Sequence, residues 1–214
     1  MTATAFYGGS FDPPHSGHLG IAQSALDSGR TNRVLLAPAF DPPHKPGRCR
    51  APFADRFAMV KLLIEGRSGL EACDIENRLR LSPSYTCDVL DALRRERPGE
   101  RIQLLIGGDS LLALHTWGRA AELAEEYEIL TYPRRGETPD AAALSPHWPP
   151  RMVEKLIAGL LPGEFFEISS TKIRNDVAKQ DEMSHINSGT TQRVEEYIRQ
   201  HHLYGTGTYQ WQMK

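Results

Sequence analysis

The chain reads as an α/β protein built on a doubly wound parallel sheet, and three observations predict it. Short, nearly continuous apolar runs such as Val34-Leu35-Leu36-Ala37 suit strands buried on both faces. Segments with helical apolar spacing alternate with those runs about five times. Several runs end at glycine or serine, and ligands sit at the carboxyl ends of the strands in such sheets. A length of 214 residues is enough for one domain with a substantial core. We assign residues 1–204 to that domain, with a helical C-terminal part from about residue 169 and an extension over residues 205–214.

Ala3 to Tyr7 opens the sheet, and Gly8-Gly9 then removes two Cβ atoms where the backbone leaves it. Ser16 is the expected N-cap of a helix whose apolar positions Leu19, Ala22 and Leu26 are stopped by Gly29. Arg33 to Ala37 is the second strand, followed by a proline-rich loop from Phe40 to Pro52 that carries His44 and Lys45 on a semi-rigid stretch. Phe53 to Ile64 is an amphipathic helix with Phe53, Phe57, Val60 and Ile64 on one side, and Leu70 to Ile75 is a weaker strand. Ser84 is a candidate cap for a helix bearing Val89, Leu90 and Leu93. Arg101 to Gly108 reads as the central strand and ends in Gly107-Gly108-Asp109.

Short helical pieces at Leu111 to Leu114 and Ala120 to Ala124 flank His115-Thr116-Trp117-Gly118. Glu128 to Tyr132 is another strand, Glu137 to Pro150 an irregular surface segment, and Arg151 to Leu161 a short amphipathic helix. Phe165 to Ile168 is the last expected strand, and Ser169-Ser170-Thr171 caps a helix over Lys172 to Val177. Gln192 to His201 is the final helix, ending in Leu203-Tyr204.

The stretch from Phe6 to Leu19 carries the clearest chemistry. Two glycines, the Ser10 hydroxyl, and His15 and His18 at a helix N-terminus suit a group that gains negative charge during reaction, such as a phosphorus under attack. A second helix N-terminus, at Ser169, carries Lys172 and Arg174 in its first turns, where cations oppose the helix dipole unless an anion sits there. Taken alone, Gly107-Gly108-Asp109 is a capped turn before it is a nucleoside site, and Trp117 is either core filler or an aromatic platform. The formal charge of -2 gives no general attraction to nucleic acid or membranes, so an anionic ligand must be small and held by local cations. Cys49, Cys73 and Cys87 are odd in number and lack CxxC spacing, which predicts reduced thiols in a cytoplasmic protein and no cysteine metal site.

Gly8-Gly9-Ser10-Phe11-Asp12-Pro13-Pro14-His15-Ser16-Gly17-His18-Leu19 resembles the HxGH signature of the nucleotidyltransferase superfamily, in the form found in bacterial nicotinate-nucleotide adenylyltransferases. PPHK at Pro42, PSYTCD at Pro83, IGGDSLLALHTW at Ile106, ISSTKIR at Ile168 and VEEYIRQHHLY at Val194 resemble further motifs of that family, so the likeness covers nearly the whole chain. The resemblance implies a Rossmann-like nucleotidyltransferase fold and adenylyl transfer from ATP to nicotinate mononucleotide, giving deamido-NAD and pyrophosphate. It implies catalytic roles for His15, His18 and Arg174, and ATP contacts from Gly8, Gly9, Ser10, Phe11, Gly107, Asp109, Ser170 and Thr171. It also implies mononucleotide contacts from Lys45, Thr86, Trp117, Gly118 and Arg134, and Mg²⁺ carried by the ATP phosphates rather than by side chains. A homo-oligomer is compatible with it. Related enzymes with nicotinamide mononucleotide or phosphopantetheine as acceptor, and a nucleotide-binding sensor without turnover, are the alternatives. Here Ser10 stands where the family commonly has threonine, and the Tyr132-Pro133-Arg134-Arg135-Gly136 stretch shifts the family's usual Arg-Pro-Gly arrangement.

Overall fold

The computed structural model describes residues 1–40, 49–81, 84–133, 139–162, 168–179 and 189–205. Among these the strands are β1 (Ala3–Gly9), β2 (Arg33–Pro38), β3 (Leu70–Ala72), β4 (Arg101–Gly107) and β5 (Glu128–Tyr132). The helices are α1 (Ser16–Asp27), α2 (Phe53–Leu63), α3 (Ile75–Leu79), α4 (Thr86–Glu96), α5 (Gly108–Ala113), α6 (Ala120–Glu126), α7 (Ala141–Leu144), α8 (Pro150–Ala158), α9 (Ser170–Lys179) and α10 (Gln192–Gln200). A 3-10 turn, Leu114–Thr116, joins α5 to the Trp117 corner. No described helix is long and apolar enough to cross a membrane.

The five strands form one parallel sheet in the order β3-β2-β1-β4-β5. β1 is therefore the central strand, and β4, expected at the centre, lies beside it. Both carry continuous apolar runs, so burial on two faces is legible in each while their lateral order is not. The order of winding reverses between β1 and β4, which opens a crevice at their carboxyl ends.

Alternate strand residues feed two cores. Phe6, Leu35, Leu104 and Ile129 pack with α4, α6 and α8, whereas Ala5, Tyr7, Leu36 and Leu105 pack with α1, α2 and α10. The side-chain period of two along each strand produces this division. On α2 the buried positions are Arg56, Met59, Val60 and Leu63; Phe53 and Phe57 are only partly buried and stack on each other at 5.9 Å. Of the expected stripe Phe53, Phe57, Val60 and Ile64, the last two are buried, while the places of the phenylalanines are taken by Arg56, Met59 and Leu63.

The segment before α8 is more ordered than its Ala, Pro and Asp content suggests. Asp140 caps α7 by accepting from the Ala143 N–H at 2.8 Å, and Leu144 and Trp148, four residues apart, are buried. Residues 134–138 lie outside the described residues, as does all but Ile168 of the strand expected over Phe165 to Ile168. The edge of β5 is met instead by a single parallel bridge, Thr131 to Leu160. The third strand ends at Ala72, and Ile75 begins α3.

Candidate active site

The loop over residues 10–15 joins the carboxyl end of β1, the strand beside β4, to α1. A Cβ on Gly9 would come within 3.2 Å of the Phe11 ring, which is wholly buried beneath the loop. Phe11 takes a left-handed φ of 46°, and its ring lies 4.7 Å from the His18 ring. Any ligand contact of Phe11 must therefore use its main chain, because the side chain supports His18 from below.

His15, rather than Ser16, is the N-cap of α1. The Ser16 hydroxyl donates to the Gly189 carbonyl at 2.5 Å, and its N–H reaches the same oxygen at 2.8 Å, so a distant segment takes the group expected to cap the helix. The His15 N–H donates to His18 Nδ1 at 3.2 Å. Because that N–H can only donate, Nδ1 carries a lone pair and neutral His18 bears its proton on Nε2. The two imidazole rings lie 3.8 Å apart.

α9 closes the other side. The Arg174 guanidinium donates to the Asp12 carbonyl at 2.6 Å and to Thr171 Oγ1 at 3.1 Å, and the Ser170 hydroxyl donates to the Pro13 carbonyl at 2.9 Å. Ser169 is the residue whose hydroxyl accepts from the Lys172 N–H, at 3.2 Å. The cations and hydroxyls expected to face ATP are thus partly engaged in fastening the histidine loop. Arg174 still has further N–H donors, and its buried Nε has no partner among the described residues. Gly107 caps α5, and Asp109 lies in its first turn at the end of β4, next to this loop across the crevice.

Further along the crevice, the N-terminus of α4 meets the Trp117–Gly118 corner. A Cβ on Gly118 would fall 2.2 Å from Tyr85 Cδ1, so only glycine lets the Tyr85 ring lie against that corner. Tyr85, not Ser84, precedes the first turn of α4, and Thr86 is its first residue. Arg119, with a left-handed φ of 59°, binds Asp88, Asp91 and Glu122 and thereby joins α4 to α6. The Tyr85 ring against Gly118 brings the start of α4, where Thr86 lies, to the Trp117–Gly118 corner; Lys45 and Arg134 lie outside the described residues.

Three buried charged residues that sequence reasoning passed over hold this arrangement. Asp12 accepts from the Arg50 and Ala51 N–H groups at 2.8 and 3.0 Å. Arg56 donates to the carbonyls of Ser10, Ala39 and Ala51 at 2.8, 2.8 and 3.1 Å, pinning the ends of β1 and β2. Glu76 accepts from the Phe40 N–H at 3.1 Å and from the Ser84 hydroxyl, linking the exit of β2 to the entry of α4. A charge among the apolar positions of a helix, as at Arg56, was the available signal.

Burial holds the Glu76 carboxyl above its ordinary value, opposed by those two donors and the Arg56 charge. The folded protein therefore binds this proton more tightly than the unfolded chain does. The resulting stabilisation is full below 4.5, the ordinary value, and is lost as pH rises through the raised folded value. Glu76→Gln should gain stability relative to the parent as pH rises through that window. Urea midpoints at about pH 4 and about pH 7.5 check this, and a pH-independent difference would contradict it.

The donors at the histidine loop do not make a Mg²⁺ cage. Imidazole nitrogens are poor ligands for so hard a cation, and the Asp12 carboxylate is already committed to N–H and O–H donors. Among the described residues, Cys87, Asp91 and Glu122 have metal-ligand spacing, but they lie on α4 and α6, with the carboxylates bonded to Arg119 and Tyr127. Burial raises the pKa of the Cys73 and Cys87 thiols.

Residues 6–176 match the family model described as cytidylyltransferase-like. A probable nicotinate-nucleotide adenylyltransferase of Synechococcus sp. (strain JA-3-3Ab) is 38% identical over 197 residues, covering 92% of each chain. One of Neisseria meningitidis serogroup C is 33% identical over 207 residues, 95% of this chain and 99% of the relative. The fold is similar to that of Plasmodium falciparum nicotinic acid mononucleotide adenylyltransferase complexed with NaAD, with a TM-score of 0.75 at 19% identity over 95% of this chain and 98% of that one. With the HxGH loop seated at the switch point of the sheet, these matches establish that the chain belongs to the cytidylyltransferase-like family, among the nicotinate-nucleotide adenylyltransferases.

Proposed function

We propose that this protein transfers the adenylyl group of ATP to nicotinate mononucleotide, forming deamido-NAD and pyrophosphate in NAD biosynthesis. The observation that carries the reading is the His15/His18 pair at the N-terminus of α1, with His18 Nδ1 accepting from a backbone N–H so that the proton of the neutral ring sits on Nε2. The 5′-phosphate of the mononucleotide is already an anion near neutral pH. It needs no protein base, and catalysis reduces to in-line placement and stabilisation of charge on the phosphates.

In this reading the Gly8–Phe11 main chain and the first turn of α1 receive the triphosphate, and His15 and His18 donate to the α and β phosphates. Arg174, anchored through Asp12 and Thr171, holds the leaving pyrophosphate with its remaining donors. Gly107, Asp109, Ser170 and Thr171 take the adenosine side. Mg²⁺ carried by the nucleotide would supply charge neutralisation at the phosphates, with none of these side chains assigned to hold it. Residues 1–204 act as one domain in the cytoplasm, with α10 and Tyr204 packed into the sheet core.

Trp117 stacks on the pyridine ring, while N–H groups near Thr86 and Gly118 receive its carboxylate. An amide in the same place would turn an N–H donor toward donors, which favours the acid. Trp117→Ala should raise KM for the mononucleotide about tenfold, since stacking on an aromatic ring is worth about 1–3 kcal/mol, with KM for ATP unchanged. An unchanged mononucleotide KM would remove Trp117 from the site. Pyrophosphate release from ATP with nicotinate mononucleotide, nicotinamide mononucleotide or phosphopantetheine supplied separately tests the whole reading. Release with the acid alone is expected. Equal release with the amide would discard the carboxylate pocket, and none with any acceptor would leave a nucleotide-binding sensor.

A further inference from the structure

The VEEYIRQHHLY segment ends in a turn that reaches back to the histidine loop. After α10 the chain places two non-glycine residues in the left-handed region, His202 at φ 49° and Tyr204 at φ 65°. Such conformations cost energy and persist only where surrounding contacts fix them. The contact at Tyr204 is specific: its phenol donates to Asp12 Oδ1 at 2.8 Å, across 192 positions of sequence.

Asp12 is 2% exposed, and its side chain draws on two distant parts of the chain. Arg50 and Ala51 donate to it from the entry to α2, and Tyr204 from the C-terminal turn. The main chain that follows is held with equal care. The carbonyls of Asp12, Pro13 and Pro14 accept from Arg174, Ser170 and Thr190 respectively, and His15 comes next. A tyrosine is needed here for more than ring burial, which phenylalanine would supply. An O–H donor to a buried carboxylate is charge-assisted and directional. Burial and the Asp12 charge both raise the phenol's pKa, so it remains a donor.

We propose that Tyr204 is a positioning residue for adenylyl transfer: its phenol fixes the Asp12 carboxylate and, through it, the placement of the His15 and His18 rings. This rests on the adenylyl-transfer reading given above. Arg174, Ser170 and Thr190 remain when the phenol is removed, so the loop loosens without being released.

The test is Tyr204→Phe, which keeps the buried ring, beside Tyr197→Phe. Tyr197 lies on α10 and makes an analogous bond, its phenol donating at 2.9 Å to Asp55 on α2 rather than to a residue of the histidine loop. Tyr204→Phe should lower kcat about tenfold, from loss of a hydrogen bond to a charged group, with both KM values within about twofold of the parent. Tyr197→Phe should match the parent. The ring C–H resonances of His15 and His18, assigned by their own glutamine variants, should move in Tyr204→Phe and stay in Tyr197→Phe. Parental kcat in Tyr204→Phe, or equal losses in the two variants, would overturn the proposal. If the parent protein shows no turnover, the adenylyl-transfer reading falls and the resonances decide the positioning: selective movement sustains it, and unmoved signals overturn it.

Discussion

His18→Ala should lower kcat by about 10²- to 10³-fold, the usual cost of removing one preorganised donor to developing charge. The proton on His18 is fixed by geometry, since Nδ1 accepts from the His15 N–H and the proton of the neutral ring therefore sits on Nε2. The rings of Phe11 and His15 lie 4.7 and 3.8 Å from it and restrict its motion, so little reorganisation accompanies reaction. The stability cost is smaller, because His18 is only partly buried and its loss frees one N–H at a helix start, worth about 0.5–2 kcal/mol. Pyrophosphate release together with urea unfolding separates the two effects. Near-parental kcat would remove His18 from the chemistry, and global unfolding would make it a structural residue.

Arg56→Met should cost about 3–5 kcal/mol of folding stability, a large share of the roughly 5–15 kcal/mol typical of a domain. Methionine fills much of the same volume but leaves the carbonyls of Ser10, Ala39 and Ala51 without their donor. Unmet buried acceptors cost about 1–3 kcal/mol each, offset where relaxation admits water. Arg56→Lys should recover only part, since one ammonium cannot reproduce a planar fork that spans three chain segments. Urea midpoints measure both. A loss below about 1 kcal/mol for Arg56→Met would mean that these segments hold without it.

The strands were legible because burial on two faces demands apolar runs, and the glycines at Gly8 and Gly107 mark where those runs end. The chemistry of the histidine loop was legible because its residues are contiguous. Its supports were not, because each pairs with a partner far away in sequence: Arg50 with Asp12 across 38 positions, Ser170 with Pro13 across 157, Tyr204 with Asp12 across 192. Ser16 and Ser84 carry ordinary N-cap side chains, yet tertiary demand redirects both hydroxyls, to Gly189 and Glu76. Arg56 stands in the sequence as a charge among the apolar positions of α2, but its partners show only when the carbonyls of three separate segments are brought around it. Leu144 and Trp148 similarly gain their burial from a core the local composition does not announce.

The central claim is that an oxygen of the mononucleotide 5′-phosphate attacks the α-phosphorus of ATP and becomes the bridging oxygen of the dinucleotide, with pyrophosphate leaving unlabelled. Nicotinate mononucleotide carrying ¹⁸O in all three non-bridging positions of its 5′-phosphate, incubated with ATP, Mg²⁺ and the protein, tests this by mass spectrometry of both products. The account predicts all the label in deamido-NAD and none in pyrophosphate. Label in pyrophosphate, or pyrophosphate formed without labelled dinucleotide, would contradict it.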